Sequence, residues 1–163
     1  MSVIDDAGIL ALSTRLQRLS ELIRKDGLLI YRAHGIDFEP KWFPVIYALH
    51  RKPVLSVVGI AAEIGYTHPS TISLLKELEK EKLIRSKKDK TDERKRLLQL
   101  TAKGRALVER MQPVWQGMAA AMTDLTGTRH NLMQAIIEVE EELKKKSFTD
   151  RALQLLAEKK PED

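Results

Sequence analysis

The sequence contains no cysteine. That excludes disulfides, thiolate metal sites and thiol-based redox sensing, whatever the compartment. Aromatic residues make up only 5% of the 163 positions, so the core has to be built mainly from Leu, Ile, Val, Ala and Met. No apolar run approaches the roughly 20 residues a membrane span needs. The start, Met1-Ser2-Val3-Ile4-Asp5-Asp6, lacks the basic flank and apolar stretch of a signal peptide. A cytoplasmic protein with no membrane partner is expected. The histidines, His34, His50, His68 and His130, never fall three or four apart, and with no thiol available no metal site is expected. A Walker motif, a Gly-rich dinucleotide loop and a Ser-centred nucleophile elbow are all missing. No catalytic residue, cofactor or enzymatic activity is therefore expected.

What is present is a folded composition, 43% apolar and 31% charged, in a length that suits one domain. The net charge of +5 is unevenly placed. Lys80–Arg105 holds eleven basic and four acidic residues, a local +7, which leaves −2 for the rest of the chain. One short segment supplies the whole positive excess. Such a patch suits a polyanion, most simply nucleic acid, although a solvated loop would look the same on charge alone.

The apolar spacing is mainly helical. Leu12, Leu16, Leu19 and Ile23 form one stripe of a long helix over Ile9–Tyr31. Pro44 suits the first turn of a helix carrying Val45, Ile46 and Leu49. Ser56 can cap Val57–Ile64, with Gly65 at its C-terminal turn, and Thr67 can cap His68–Lys82, with Ile72, Leu75 and Leu78 inward. Leu83–Ser86 and Arg96–Thr101 are candidate strands, joined by the nine polar residues Lys87–Lys95. Thr101 can cap a helix over Ala102–Leu125, where Pro113 is expected to introduce a kink. Gly127 ends that helix, and Thr128 is expected to cap the next. Leu132, Ile136, Val139 and Leu143 repeat the 4, 3, 4 spacing there, and a short helix over Thr149–Lys159 follows.

Helix, tight turn, helix and basic hairpin, in that order, are what a winged helix-turn-helix needs. Thr67, His68, Ser70, Thr71, Ser73, Lys76 and Lys80 are candidate DNA contacts on the second helix. Its hydroxyls suit base edges or phosphates, its lysines phosphates. On the hairpin, Lys87, Lys88, Lys90, Arg94, Lys95 and Arg96 are candidates, with Arg94 near the tip suited to a minor groove. Asp92 is expected to hold the tip in shape by pairing with Arg94 or a nearby lysine.

At these residues the chain resembles the MarR family of bacterial transcriptional regulators. Asp92-Glu93-Arg94-Lys95-Arg96-Leu97-Leu98-Gln99-Leu100-Thr101-Ala102-Lys103-Gly104 is similar to the family's wing: Asp, one residue, Arg, a short strand, then Leu-Thr-x-x-Gly. Ile60-Ala61-x-x-Ile64-Gly65 with Pro69-Ser70-Thr71-Ile72-Ser73 resembles its helix-turn-helix core, and Glu79-Lys80-x-x-Leu83-Ile84 its junction into the wing. The resemblance implies a mainly α fold with a small β-hairpin: a winged helix-turn-helix flanked by N- and C-terminal dimerisation helices. Residues 1–163 would form one such domain, with 42–104 the DNA-binding lobe and 8–32 and 105–160 the helical dimerisation region. It implies a homodimer that reads a pseudo-palindromic operator on double-stranded DNA, its recognition helices about 34 Å apart. The stripes Leu12/Leu16/Leu19/Ile23 and Leu132/Ile136/Val139/Leu143 allow pairing between chains, with pairing to each other within one chain as the alternative.

The resemblance also implies a small-molecule effector site between the helix after the wing, the first helix and the DNA-binding lobe. Met111, Trp115, Met118 and Met122 lie on one face of the later helix, and His34, Trp42, Phe43 and Tyr47 are candidates to join them. Core or dimer interface explains the same Met/Trp stripe. Two other functions fit a basic hairpin: a winged-helix protein–protein module meeting an acidic partner, and an architectural or RNA-binding protein with little sequence choice.

Overall fold

A computed structural model describes residues 2–159. Met1, and Lys160 at the end of the expected dimerisation region, lie outside the described residues. The chain divides into two compact units, which meet at Gln116 and Gly117.

The first unit opens with a short helix α1 (Val3–Asp6) and a 3-10 turn at Gly8–Ala11, ahead of α2 (Leu12–Ala33). The long helix therefore starts at Leu12, where the stripe begins, and not at the expected Ile9, because the chain through Ala11 is wound as the tighter 3-10 turn. After a 3-10 turn at Pro40–Trp42 come α3 (Phe43–Arg51), β1 (Leu55–Ser56), α4 (Val57–Ile64) and α5 (His68–Lys80). The expected caps are present: the Ser56 hydroxyl accepts from the Gly59 N–H and the Thr67 hydroxyl from the Ser70 N–H. Gly65 turns the chain between α4 and α5 at φ +69°, a conformation that costs glycine nothing.

Strands β2 (Ile84–Lys88) and β3 (Arg96–Leu100) pair antiparallel from Ile84↔Leu100 to Lys88↔Arg96. Lys87 and Lys88 thus belong to the strand, and the connecting loop shortens to residues 89–95. The sheet has a third strand, because Leu55 pairs with Leu98 and Ser56 with Leu97. A two-residue strand has no periodicity to detect. Tyr31, Phe38, Val45, Ile46, Leu49, Ile60, Leu78, Leu98, Val108 and Met111 fill the core, each almost fully buried.

Helix α6 (Ala102–Thr126) starts at Thr101, whose hydroxyl accepts from the Gly104 N–H at 3.0 Å, and continues through Pro113. The second unit adds α7 (Leu132–Lys145) and α8 (Phe148–Glu158). Asn131, not Thr128, caps α7 by accepting from the Gln134 N–H. Ser147 caps α8, which begins one residue before the expected start. Neither α7 nor α8 buries a residue within the chain, although Val139, Leu143, Phe148, Leu153 and Leu156 stand on them. Among the described residues no helix is long and apolar enough to cross a membrane.

Candidate nucleic-acid interface

Helix α5 packs through Thr71, Leu74, Leu75 and Leu78, all buried, while Ile72 stays half-exposed. The inward face is thus rotated from the expected Ile72/Leu75/Leu78 stripe. The rotation corrects one candidate contact. Thr71 is fully buried and its hydroxyl donates to the Thr67 carbonyl at 2.9 Å, so it has nothing to offer a ligand. His68, Ser70, Ser73, Lys76 and Lys80 remain exposed. Thr67 is committed to the helix start, since its hydroxyl also donates to Ser70 Oγ at 2.9 Å. The Ser70 hydroxyl thereby keeps its own proton for an outside acceptor.

From behind, α5 is held by Glu77. Its carboxylate accepts from the Trp42 indole Nε1 at 3.0 Å and from Lys41 Nζ, 2.8 Å from the nearer oxygen. The bonds from Lys41 first and Trp42 second hold the Glu77 carboxyl below its ordinary range.

The wing tip is organised by two carboxylates acting on main chain. Asp89 Oδ1 accepts from the Thr91 N–H at 2.9 Å and from its hydroxyl at 2.8 Å, which holds the Asp89 carboxyl below its ordinary range. Asp92 Oδ1 accepts from the Arg94 N–H at 3.0 Å. Asp92 was expected to act through a side-chain charge, and instead it grips the backbone of the residue it presents, a local turn typical of Asp. Two further main-chain bonds, Asp89 N–H to Lys95 O and Lys95 N–H to Asp92 O, both 2.9 Å, close the loop.

Among the described residues, the side chains of Lys76, Lys80, Lys87, Lys88, Lys90, Arg94 and Lys95 make no hydrogen bond or ion pair. Arg96 differs: its Nη2 donates to Glu79 Oε1 and to Ser86 Oγ, both at 2.8 Å. Lys103 and Arg105 cap main-chain carbonyls at Glu81 and Leu100. The outer face of α5 and the hairpin therefore present seven uncommitted cations close together in sequence, and Lys82 at their junction is an eighth. Between α4, α5 and the wing runs a cleft of about 520 Å³, with an apolar floor of Val57, Ile72 and Leu75 and a rim that includes His68, Lys76 and Arg94.

The residues proposed for an effector site separate. Phe43 stacks on Tyr47 at 5.2 Å, and Trp115 meets both edge-on at 5.4 and 5.8 Å. Phe43 and Tyr47 are partly exposed. Trp115 Nε1 donates to the Tyr31 hydroxyl at 2.8 Å. Tyr31, which the sequence pattern did not single out, is buried, and burial raises its phenol pKa. Trp42 stands apart, edge-on to Phe38 at 5.7 Å and bonded to Glu77. His34 ends α2 in solvent with its ring near the Ile30 carbonyl, and Met111 is core. Met118 and Met122 are half-buried on the part of α6 that belongs to the second unit.

Residues 34–95 match the model of the MarR family. No curated protein matches the chain by sequence. Among solved structures, the transcriptional repressor CouR, bound to a 23-mer DNA duplex, is similar at 25% identity, with 85% of this chain and 96% of that one covered and a TM-score of 0.64. The M. tuberculosis regulator MOSR in complex with DNA is 20% identical over 82% and 96% of the two chains, with a TM-score of 0.68. The PcaV regulator from Streptomyces coelicolor, solved with its natural ligand, is 16% identical over 90% and 99%, with a TM-score of 0.64. The fold is the winged helix of these regulators, mainly helical with a small antiparallel sheet.

Proposed function

We propose that this chain is a sequence-selective DNA-binding transcriptional regulator that acts as a homodimer on a pseudo-palindromic operator. The observation that carries this reading is the separation of cations into two groups. Arg96, Lys103 and Arg105 at the root of the lobe are tied to protein, and Lys76, Lys80, Lys87, Lys88, Lys90, Arg94 and Lys95 on the outer face of α5 and the wing are left uncommitted. A recognition helix needs such a polar face for the major groove, and a wing needs an arginine aimed at the adjacent minor groove. His68, Ser70, Ser73, Lys76 and Lys80 make the helix contacts. Lys87, Lys88, Lys90, Arg94 and Lys95 make the wing contacts. The DNA complexes of CouR and MOSR, on the same fold, support the reading.

Dimerisation accounts for the apolar faces. Leu12 and Leu16 on α2, and Val139 and Leu143 on α7, are about half exposed. Helices as short as α7 and α8 are marginal without an apolar face to bury. A small-molecule effector fits the aromatic group Phe43, Tyr47 and Trp115, and the ligand-bound PcaV structure supports such control. Function in the cytoplasm accords with this role.

Selection of bound duplexes from a random library with the purified protein tests the proposal. A palindromic consensus is expected, with binding that weakens steeply as salt rises. Equal affinity for selected and random duplexes at moderate salt would overturn it.

A further inference from the structure

The register of the wing carries an inference beyond the general DNA-binding reading, on which it rests. Side chains alternate along a strand. The face of the hairpin that bears the buried Ile84, Leu98 and Leu100 therefore also bears Ser86, Lys88 and Arg96. Arg96 pairs with Lys88 at the last rung before the loop. It is the outermost β3 residue on the core-facing side, so its guanidinium turns toward α5 and away from the tip. There it meets Glu79 and Ser86, each at 2.8 Å. The Glu79 side chain is 28% exposed and that of Arg96 54%. Both line the cleft between α5 and the wing, together with His68, Lys76 and Arg94.

We propose that Arg96 is a positioning residue: clamped to Glu79, it fixes the angle of the wing on the recognition helix and so aims Arg94, without itself contacting DNA. Beyond the Lys88↔Arg96 rung, the loop is organised only by its own internal bonds, so its direction is inherited from that rung. The clamp joins the rung to the last turn of α5, the proposed recognition helix. It also explains an acid in a cleft that faces phosphates. Glu79 would repel DNA if it were uncompensated, and it is tolerated because it anchors a guanidinium.

The clamp makes a prediction of opposite sign to simple charge counting. Removing Glu79 adds net positive charge, which by itself tightens DNA binding. Glu79→Met removes the acceptor at similar volume, and it should instead weaken operator binding by about tenfold. Arg96→Gln should do the same. The decisive measurement is a double-mutant cycle with Arg94→Ala on a selected duplex, with circular dichroism and thermal melts confirming that each variant is folded. If Arg96 acts through Arg94, then Arg94→Ala/Arg96→Gln binds within about threefold of Arg94→Ala, and its salt dependence is the same. Two results would overturn the clamp. One is tighter binding by Glu79→Met. The other is a further loss in the double variant with the slope of log K against log salt reduced by about 0.9, the signature of an independent phosphate contact. Because the wild type is measured on the same duplex, absence of any operator binding would count against the regulator reading and not be confused with failure of the clamp.

Discussion

Trp42 Nε1 donates to the Glu77 carboxylate at 3.0 Å, which joins the turn before α3 to the C-terminal turn of α5. Lys41 reaches the same carboxylate from the preceding residue. A depressed carboxyl pKa in the folded state stabilises the fold above the ordinary value of 4.5. That contribution is lost as pH falls through the depressed value, when the protonated group no longer binds Lys41 as an anion. The wild type should therefore lose more stability than Glu77→Gln between about pH 5 and pH 2. Urea midpoints of both proteins across that range measure it. Parallel pH profiles would show that Glu77 is not a linked group.

Gly104 explains in physical terms why the Leu-Thr-x-x-Gly string works. A Cβ at this position would lie 2.1 Å from the Leu83 carbonyl oxygen. The Thr101 hydroxyl donates to the Lys82 carbonyl at 2.7 Å and accepts from the Gly104 N–H, so the start of α6 is pressed against the start of the wing. Gly104→Ala has to push backbone away from backbone. It should destabilise the lobe by roughly 3 kcal/mol or more, at the upper end for overpacking. Chemical denaturation measures this. A loss below about 1 kcal/mol, no more than an ordinary surface substitution, would mean that the contact relaxes freely.

Much of this architecture was legible because local signals agreed. Ser56, Thr67 and Thr101 each announce a helix start, and each makes the expected capping bond. The face of α5 is hidden from the sequence because Ile72, a good core residue by type, lies one step from Thr71, whose hydroxyl is satisfied within the helix and so can be buried at no polar cost. The cap of α7 is ambiguous in the sequence because Thr128 and Asn131 are both good caps, and the fold decides for Asn131. Composition cannot separate a cation tied to protein, as Arg96 is to Glu79 and Ser86, from a free one. Strand alternation, counted back from Leu100 and Leu98, puts Arg96 on the core-facing side, but Lys88 shares that side without a partner, so the contact with Glu79 is what sets Arg96 apart. Tyr31 was missed because its role depends on Trp115, a partner 84 positions away.

The α7 face gives a prediction about assembly. Val139 is 53% exposed and Leu143 49%, on a helix that buries no residue within the chain. If they pair between subunits, Val139→Glu/Leu143→Glu places charges where apolar surface must leave water. Two buried aliphatic side chains contribute about 3–6 kcal/mol, so the double variant should weaken self-association by roughly a hundredfold or more. Sedimentation over a concentration series reads this directly. A dimer of undiminished affinity would remove α7 from the interface.

The bond from the Arg94 N–H to Asp92 Oδ1 separates two roles that the wing motif runs together. Arg94 presents a guanidinium with no partner among the described residues, so Arg94→Ala should cost about 1–3 kcal/mol of DNA binding and leave the thermal midpoint unchanged. Asp92 has no DNA contact to lose; its carboxylate would be repelled by phosphates. Its value lies in one oxygen that accepts a backbone N–H. Asp92→Ala should weaken binding, by less than Arg94→Ala, because the turn loosens while the arginine remains. Asp92→Asn keeps an oxygen in the same place and removes a negative charge, so it should bind DNA as well as the wild type or better. Were Asp92 instead an ion-pair partner of Arg94, the asparagine variant would behave like the alanine one. Titration of the three variants on one duplex at fixed salt distinguishes the two arrangements.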